Sequence, residues 1–117
     1  MLFRSGAYFN NHRIKVSKKK KIENCLFATG GKEEIKSNLN TRKSGSAALD
    51  MAYVAAGRYD GYFQDHLHLW DIAAGIILVK EAGGKINDID FSNIEEIKIK
   101  AASNTIYEKM LEKLNNF

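Results

Sequence analysis

Asp71 stands near the head of the run Trp70-Asp71-Ile72-Ala73-Ala74-Gly75, which continues through Ile76, Ile77, Leu78, Val79, Lys80, Glu81 and Ala82 to Gly83-Gly84. An acid at the mouth, small residues in the first turns and a glycine stop predict one helix over Asp71–Ala82. A carboxylate there faces the positive end of the helix macrodipole and stays ionised. Ile72 to Val79 is almost free of polar residues, so the helix is expected to be covered on both sides. An ionised acid projecting from such a helix serves as an N-cap or as a metal ligand. Capping is the commoner role, since nearly every helix needs a cap and few bind metals.

The wider run resembles the C-terminal signature of the inositol monophosphatase family of magnesium-dependent phosphatases. Two preceding segments strengthen the likeness, Arg42-Lys43-Ser44-Gly45-Ser46-Ala47-Ala48-Leu49-Asp50-Met51-Ala52-Tyr53-Val54-Ala55-Ala56-Gly57-Arg58 and Asp60-Gly61-Tyr62-Phe63. They resemble the family's segments in the same order and at the same spacing, and the likeness runs from Gly6 to the end of the chain. Hydrolysis of a phosphate monoester needs phosphoryl charge neutralised and a water activated and aimed, which magnesium held by carboxylates supplies. The resemblance implies that Asp71 is the metal-binding aspartate of the Trp-Asp motif and that Mg2+ is the cofactor. It also implies that Gly45, Ser46 and Ala47 form a substrate-facing turn, where small residues let the backbone approach a ligand. A plain helix start capped by Ser46 is the alternative for that side chain. Gln64 departs from the pattern: a glutamate that contacts a substrate hydroxyl is common there, and the amide removes the charge and adds a donor. Inositol specificity is thereby put in doubt, and phosphate chemistry is not.

Other polar residues read more plainly. His66 and His68 alternate on an extended segment, but magnesium prefers oxygen. Glu33-Glu34 lies downstream of the family's acidic pair and reads as a solvated helix turn. Tyr53 and Trp70 read as core. Cys25 is the sole cysteine, so no intrachain disulfide can form, and its apolar neighbours Leu26 and Phe27 suggest a buried structural thiol. Lys18-Lys19-Lys20-Lys21 supplies much of the net charge of +4. Without interleaved aromatics it makes a poor base-reading surface, and a solvated turn is expected, with no nucleic-acid partner.

The elements that must position these residues follow from periodicity and punctuation. With 117 residues, 44% hydrophobic and 27% charged, the chain has room for one globular domain with a modest core. No apolar run is long enough to span a bilayer, and the N-terminus lacks the apolar core of a signal peptide, so a cytoplasmic protein without a membrane partner is expected. Ala7-Tyr8-Phe9 and Arg13-Ile14-Lys15-Val16 flank Asn10-Asn11 as a β-hairpin. Cys25 to Thr29 reads as a strand entering a Gly30-Gly31 loop, and Lys32 to Asn40 as a polar stretch with a short helix. Helices are predicted over Ser46–Ala56, with Ser44 or Ser46 as cap and Gly57 as stop, and over Asn104–Leu114. Thr105 and Glu108 have capping-box spacing. Ile106, Met110, Leu111, Leu114 and Phe117 form an apolar stripe. Strands are predicted at Tyr59–Gln64, around Lys85-Ile86-Asn87, and at Ile97–Lys100. Alternation of strands and helices means an α/β layered fold.

The resemblance refines that to a layered α-β-α lobe, matching the C-terminal half of the family's α-β-α-β-α sandwich, with residues 1–117 as that lobe and the N-terminal metal-binding half absent. The family's other ligands come from an upstream glutamate and an Asp-Pro-containing loop, and this chain contains no proline. The expectation is therefore a fragment inactive alone. In the complete protein it would serve magnesium-dependent hydrolysis of a small phosphorylated substrate, an inositol phosphate or related sugar or alcohol phosphate. A homodimer or association with an N-terminal half would accompany that role. The alternative is a non-catalytic lobe that binds a protein partner through the surface of the missing half.

Overall fold

The computed structural model describes residues 2–3, 6–9, 12–30 and 39–114. In chain order the strands and helices are β1 (Leu2–Phe3), β2 (Gly6–Phe9), β3 (His12–Ile14), β4 (Phe27–Thr29), β5 (Thr41–Arg42), α1 (Ala47–Ala55), β6 (Gly61–Leu67), α2 (Leu69–Glu81), β7 (Gly84–Ile86), β8 (Ile97–Ser103) and α3 (Tyr107–Leu114). Glu33-Glu34 and most of the Lys32–Asn40 stretch lie outside the described residues, as do the hairpin turn and Phe117.

Two sheets organise the molecule. β1, β2 and β3 form a small antiparallel sheet, in which Ala7 lies opposite Ile14. The larger sheet has the order β5-β4-β6-β8-β7. Within it β4 runs parallel to both β5 and β6, while β8 is antiparallel to β6 and β7. Strand pleating sends alternate residues to opposite faces. Ala28, Tyr62 and Ala101 thus join a core with Met51, Val54, Ile72 and Val79 of α1 and α2. Their neighbours Phe27, Phe63 and Ala102 join a second core with Ile106, Met110 and Leu114 along α3. The central strand β6 is covered on both faces.

Ala7 of the small sheet belongs to the same core as α1 and α2, with Ile14 packed against it. The layers therefore run small sheet, helix pair, large sheet, α3. The expected α-β-α lobe is corrected on this point: both sheets of an α-β-α-β-α sandwich are present, because the hairpin strands cover the helix pair from the side away from the large sheet.

Local chemistry sets the element ends. Ser46 caps α1, its Oγ accepting the Leu49 N–H at 3.2 Å, and Gly57 ends the turn in the left-handed region at φ 77°. α2 starts earlier than its composition predicts, with His68 in the N-cap position and Asp71 in the first turn. Gly75 lets it approach α1 closely, since a Cβ there would lie 2.8 Å from both Cβ and Sδ of Met51. α2 lies between the two sheets yet keeps a solvent-facing side that its composition did not predict. Ile72, Gly75 and Val79 are buried, whereas Ala73, Ala74 and Ile77 are exposed, and Trp70 is 63% exposed rather than core.

α3 starts at Tyr107, later than the predicted Asn104, and the capping box is not formed. Thr105 instead donates its hydroxyl to the Lys19 carbonyl at 2.6 Å. Lys109 donates to the Lys20 carbonyl, and Lys19 reaches Asp60 at 3.4 Å. The lysine run is thus tied down on its backbone side while Lys18, Lys20 and Lys21 remain exposed. Cys25 is buried beside it, and burial, reinforced by Asp60, pushes its thiol up to about 11. No helix of the described residues is long and apolar enough to cross a membrane.

Candidate active site

The two helices that lie between the sheets, α1 and α2, each carry a polar residue to a shared cavity of about 560 Å³. From the start of α1 come Gly45, Ser46, Ala47 and Asp50; from β6 and the residue just after β4 come Gln64, His66 and Gly30; from α2 come Trp70 and Asp71. The five site residues singled out from the sequence, Gly45, Ser46, Ala47, Gln64 and Asp71, therefore meet on one groove, though Asp71 is distant in sequence from Gly45.

Asp71 lies in the first turn of α2, with its side chain 46% exposed. Its Oδ2 accepts the His68 backbone N–H at 3.3 Å and stands 3.9 Å from His68 Nδ1. This is the reach of a third-position acid toward the cap residue. The capping function and an open carboxylate oxygen coexist, because no hydrogen bond to Oδ1 is formed among the described residues.

The Gly45 turn is built by side chains. Gly45 has φ 83°, a conformation that favours glycine. The Ser44 hydroxyl accepts the Ser46 N–H at 3.1 Å and donates to Asp50 Oδ1 at 2.6 Å. Asp50 is 1% exposed, and burial raises its pKa above the ordinary carboxylate range, an effect the Ser44 hydrogen bond opposes. The first helical N–H groups after Ser46, those of Ala47 and Ala48, have no acceptor within the helix, and both residues line the groove.

Gln64 sits between Tyr62 and Gly30. The Tyr62 hydroxyl donates to Gln64 Oε1 at 2.5 Å, and a Cβ at Gly30 would lie 2.2 Å from that same oxygen. Burial, with Asp50 and Asp71 adding to it, drives the Tyr62 pKa far up, so the phenol keeps its proton. His66 has φ 56°, the sole non-glycine in that region among the described residues, at the register shift between Gln64 and Leu67. Its ring contacts Glu96 and lies 3.6 Å from Asp65. Among the described residues, neither His66 nor His68 joins a metal-binding cluster. Among the described residues, no three His, Cys, Asp or Glu side chains converge.

Asp50 and Tyr62 were missed from the sequence, since one reads as a helix residue and the other as an ordinary strand aromatic. The available signal was Asp50's place four residues after Ser46, on the inward side of an alanine-rich helix.

Comparison with known proteins agrees with the geometry. The model of the inositol monophosphatase family matches residues 3–116. The chain belongs to that family. Because the match runs through nearly the whole chain, the expectation of a resemblance to a C-terminal half only is corrected. The Nus factor SuhB of Haemophilus influenzae is 36% identical, over 93% of this chain and 47% of that protein. The fructose-1,6-bisphosphatase/inositol-1-monophosphatase of Thermotoga maritima is 46% identical, over 72% of this chain and 36% of that protein. The crystal structure of the extragenic suppressor protein suhB from Bartonella henselae superposes with a TM-score of 0.85 at 38% identity, covering 97% of this chain and 50% of that one. The chain spans about half the length of the curated relatives it matches.

Magnesium, which the family implies, prefers hard oxygen donors and keeps several waters. The groove suits one such ligand position: Asp71 offers a half-exposed carboxylate with an open oxygen, while Asp50 is buried and engaged by Ser44.

Proposed function

We propose that this chain carries the ester-binding groove of a magnesium-dependent phosphomonoesterase that acts on a small sugar or alcohol phosphate. The observation that carries the reading is the single groove shared by the Asp71 carboxylate and the Gly45–Ala47 turn. Magnesium supplies charge neutralisation and an activated water when bound. Asp71 would hold it through Oδ1. The free N–H groups at the start of α1 would take phosphate oxygens, as helix N-termini do, and Ser46 would keep its side chain for the cap. Gln64 would contact the alcohol part of the ester. One carboxylate competes weakly with the waters of a strongly hydrated ion, so ion and phosphate would bind together rather than singly. By the same count of ligands, the purified chain would turn over no ester above background.

Calorimetric titration with inorganic phosphate, with and without magnesium, tests this. Magnesium should tighten phosphate binding at least about tenfold in the wild type, and Asp71→Asn should remove the enhancement by deleting a charged oxygen ligand. Equal enhancement in both proteins would rule Asp71 out as the ligand. Robust magnesium-dependent turnover of a phosphomonoester that Asp71→Asn abolishes would mean that further acids complete the site, with Glu33, Glu34, Asp65 and Asp88 the first to examine.

A second reading, a non-catalytic lobe that binds a protein, is favoured by one observation. Leu49 of α1 and Trp70 and Ile77 of α2 are exposed at 43%, 63% and 51%.

A further inference from the structure

Trp70, expected in the core, stands 63% exposed on the wall of the groove. It precedes Asp71 in the first turn of α2, and the centre of the His68 ring lies 4.4 Å from its own, which supports the indole from one side. A large aromatic left open beside a polar site offers an apolar body and an electron-rich face. The charges around it are one-sided. Among the described residues that line the cavity there is no lysine or arginine, while Asp71 presents a half-exposed carboxylate. Arg42 and Lys43 lie before the Gly45 turn, exposed and outside that lining. His66 rests against Asp65 and Glu96, which offset any charge it takes up. With magnesium and a phosphate ester in place, the two nearly cancel, and the Asp71 carboxylate is left over.

We propose that Trp70 is a specificity-determining residue whose indole receives a quaternary ammonium group, so that the groove favours phosphate esters of choline-type alcohols over neutral esters of the same shape. This rests on the phosphate-ester reading above. A cation over the face of a tryptophan is attracted by the ring quadrupole, and tryptophan is the best of the aromatic side chains at this. A quaternary ammonium is held without hydrogen bonds, so it asks for no acceptor. The carboxylates near the groove are already engaged: Asp50 by Ser44, Asp65 and Glu96 by the His66 ring, and Asp71 by the magnesium it would hold. A primary ammonium carries three N–H donors and is strongly hydrated, so it loses more on leaving water for an indole face. A short alcohol is long enough to join the two ends, because Trp70 and Asp71 are consecutive residues on the wall of one cavity.

The matched probes are phosphocholine and 3,3-dimethylbutyl phosphate, which differ by a charged nitrogen in place of a neutral carbon, with phosphoethanolamine as the primary amine and inorganic phosphate as the common reference. Binding to the full chain is measured with magnesium present. The wild type should bind phosphocholine at least about threefold more tightly than 3,3-dimethylbutyl phosphate, with phosphoethanolamine weaker than phosphocholine. The ratio of the matched pair should fall in Trp70→Phe, which keeps a smaller ring, and approach unity in Trp70→Leu, which keeps only apolar bulk. A purely structural role for Trp70 would weaken both members of the pair together and leave their ratio intact. A wild-type ratio of one, or a ratio that Trp70→Leu preserves, overturns the proposal while inorganic phosphate binding still supports the groove. Tighter binding of phosphoethanolamine than of phosphocholine also overturns it, since hydrogen bonds to acids and not the indole would then carry the preference. Loss of inorganic phosphate binding in the wild type itself would overturn both readings.

Discussion

Asp50 shows how one buried carboxyl can shape a backbone that others use. Among the described residues its carboxyl accepts from the Ser44 hydroxyl, which also accepts the Ser46 N–H and so sets the curve of the Gly45 turn. Removing that hydroxyl with Ser44→Ala leaves a buried acceptor unsatisfied, at a cost of about 1–3 kcal/mol. Burial raises the folded pKa of Asp50 above its unfolded value, so the stability it contributes is complete below about pH 4 and is lost as pH rises through the folded value. Asp50→Asn keeps an oxygen for Ser44 without the charge. Relative to the wild type, that variant should therefore gain stability between pH 4 and pH 7, as read from urea denaturation midpoints at the two values. A difference that stays flat with pH would mean that Asp50 is not desolvated. Nothing in the residue type announced this role, because an aspartate in the first turn of a helix ordinarily reads as a solvated partner of the dipole.

At the scale of elements, the contact between α1 and α2 turns on Gly75 meeting Met51. Gly75→Ala gains helix propensity of about 1 kcal/mol but forces the helices apart, and overpacking of this kind costs about 1–3 kcal/mol. The variant should melt at a lower temperature than the wild type and shift the groove, since Asp71 rides on one helix and the Gly45 turn on the other; an unchanged melting temperature and unchanged phosphate affinity would show the contact to be loose. The helices themselves were legible from alanine-rich and apolar runs closed by Gly57 and Gly83, and the strand at Ile97 from its alternation. The early start of α2 was not legible, because His68, Leu69 and Trp70 have no helical pattern before Asp71. Strand β6 also begins and ends later than its aromatics suggest, since Tyr59 is used in an edge-on contact with Tyr53 instead. The convergence of Asp71 with Gly45 came from family order rather than from either segment alone.

For the molecule as a whole, Leu49 of α1 and Trp70 and Ile77 of α2 leave apolar surface exposed that a monomer gains nothing by showing. Sedimentation velocity across a concentration series should reveal self-association in the wild type and a shift toward monomer in Ile77→Asp, which places a charge on that surface without touching the buried side of α2. Identical profiles would show that the surface does not drive association. The layering of two sheets was the least legible feature, because sheet partners are chosen by packing across the core and not by neighbours along the chain. That same layering governs how the chain reaches its native state. Phe27 pairs with Gly61, and Gly61 pairs with Ala102, so β6 can gain neither neighbour until distant parts of the chain have met. The entropy of closing those loops is spent before the central strand is rewarded. Folding should accordingly be slow for a chain of this size, in the range of about milliseconds to seconds, with α1 and α2 forming early and the groove between them assembled only when β6 is seated.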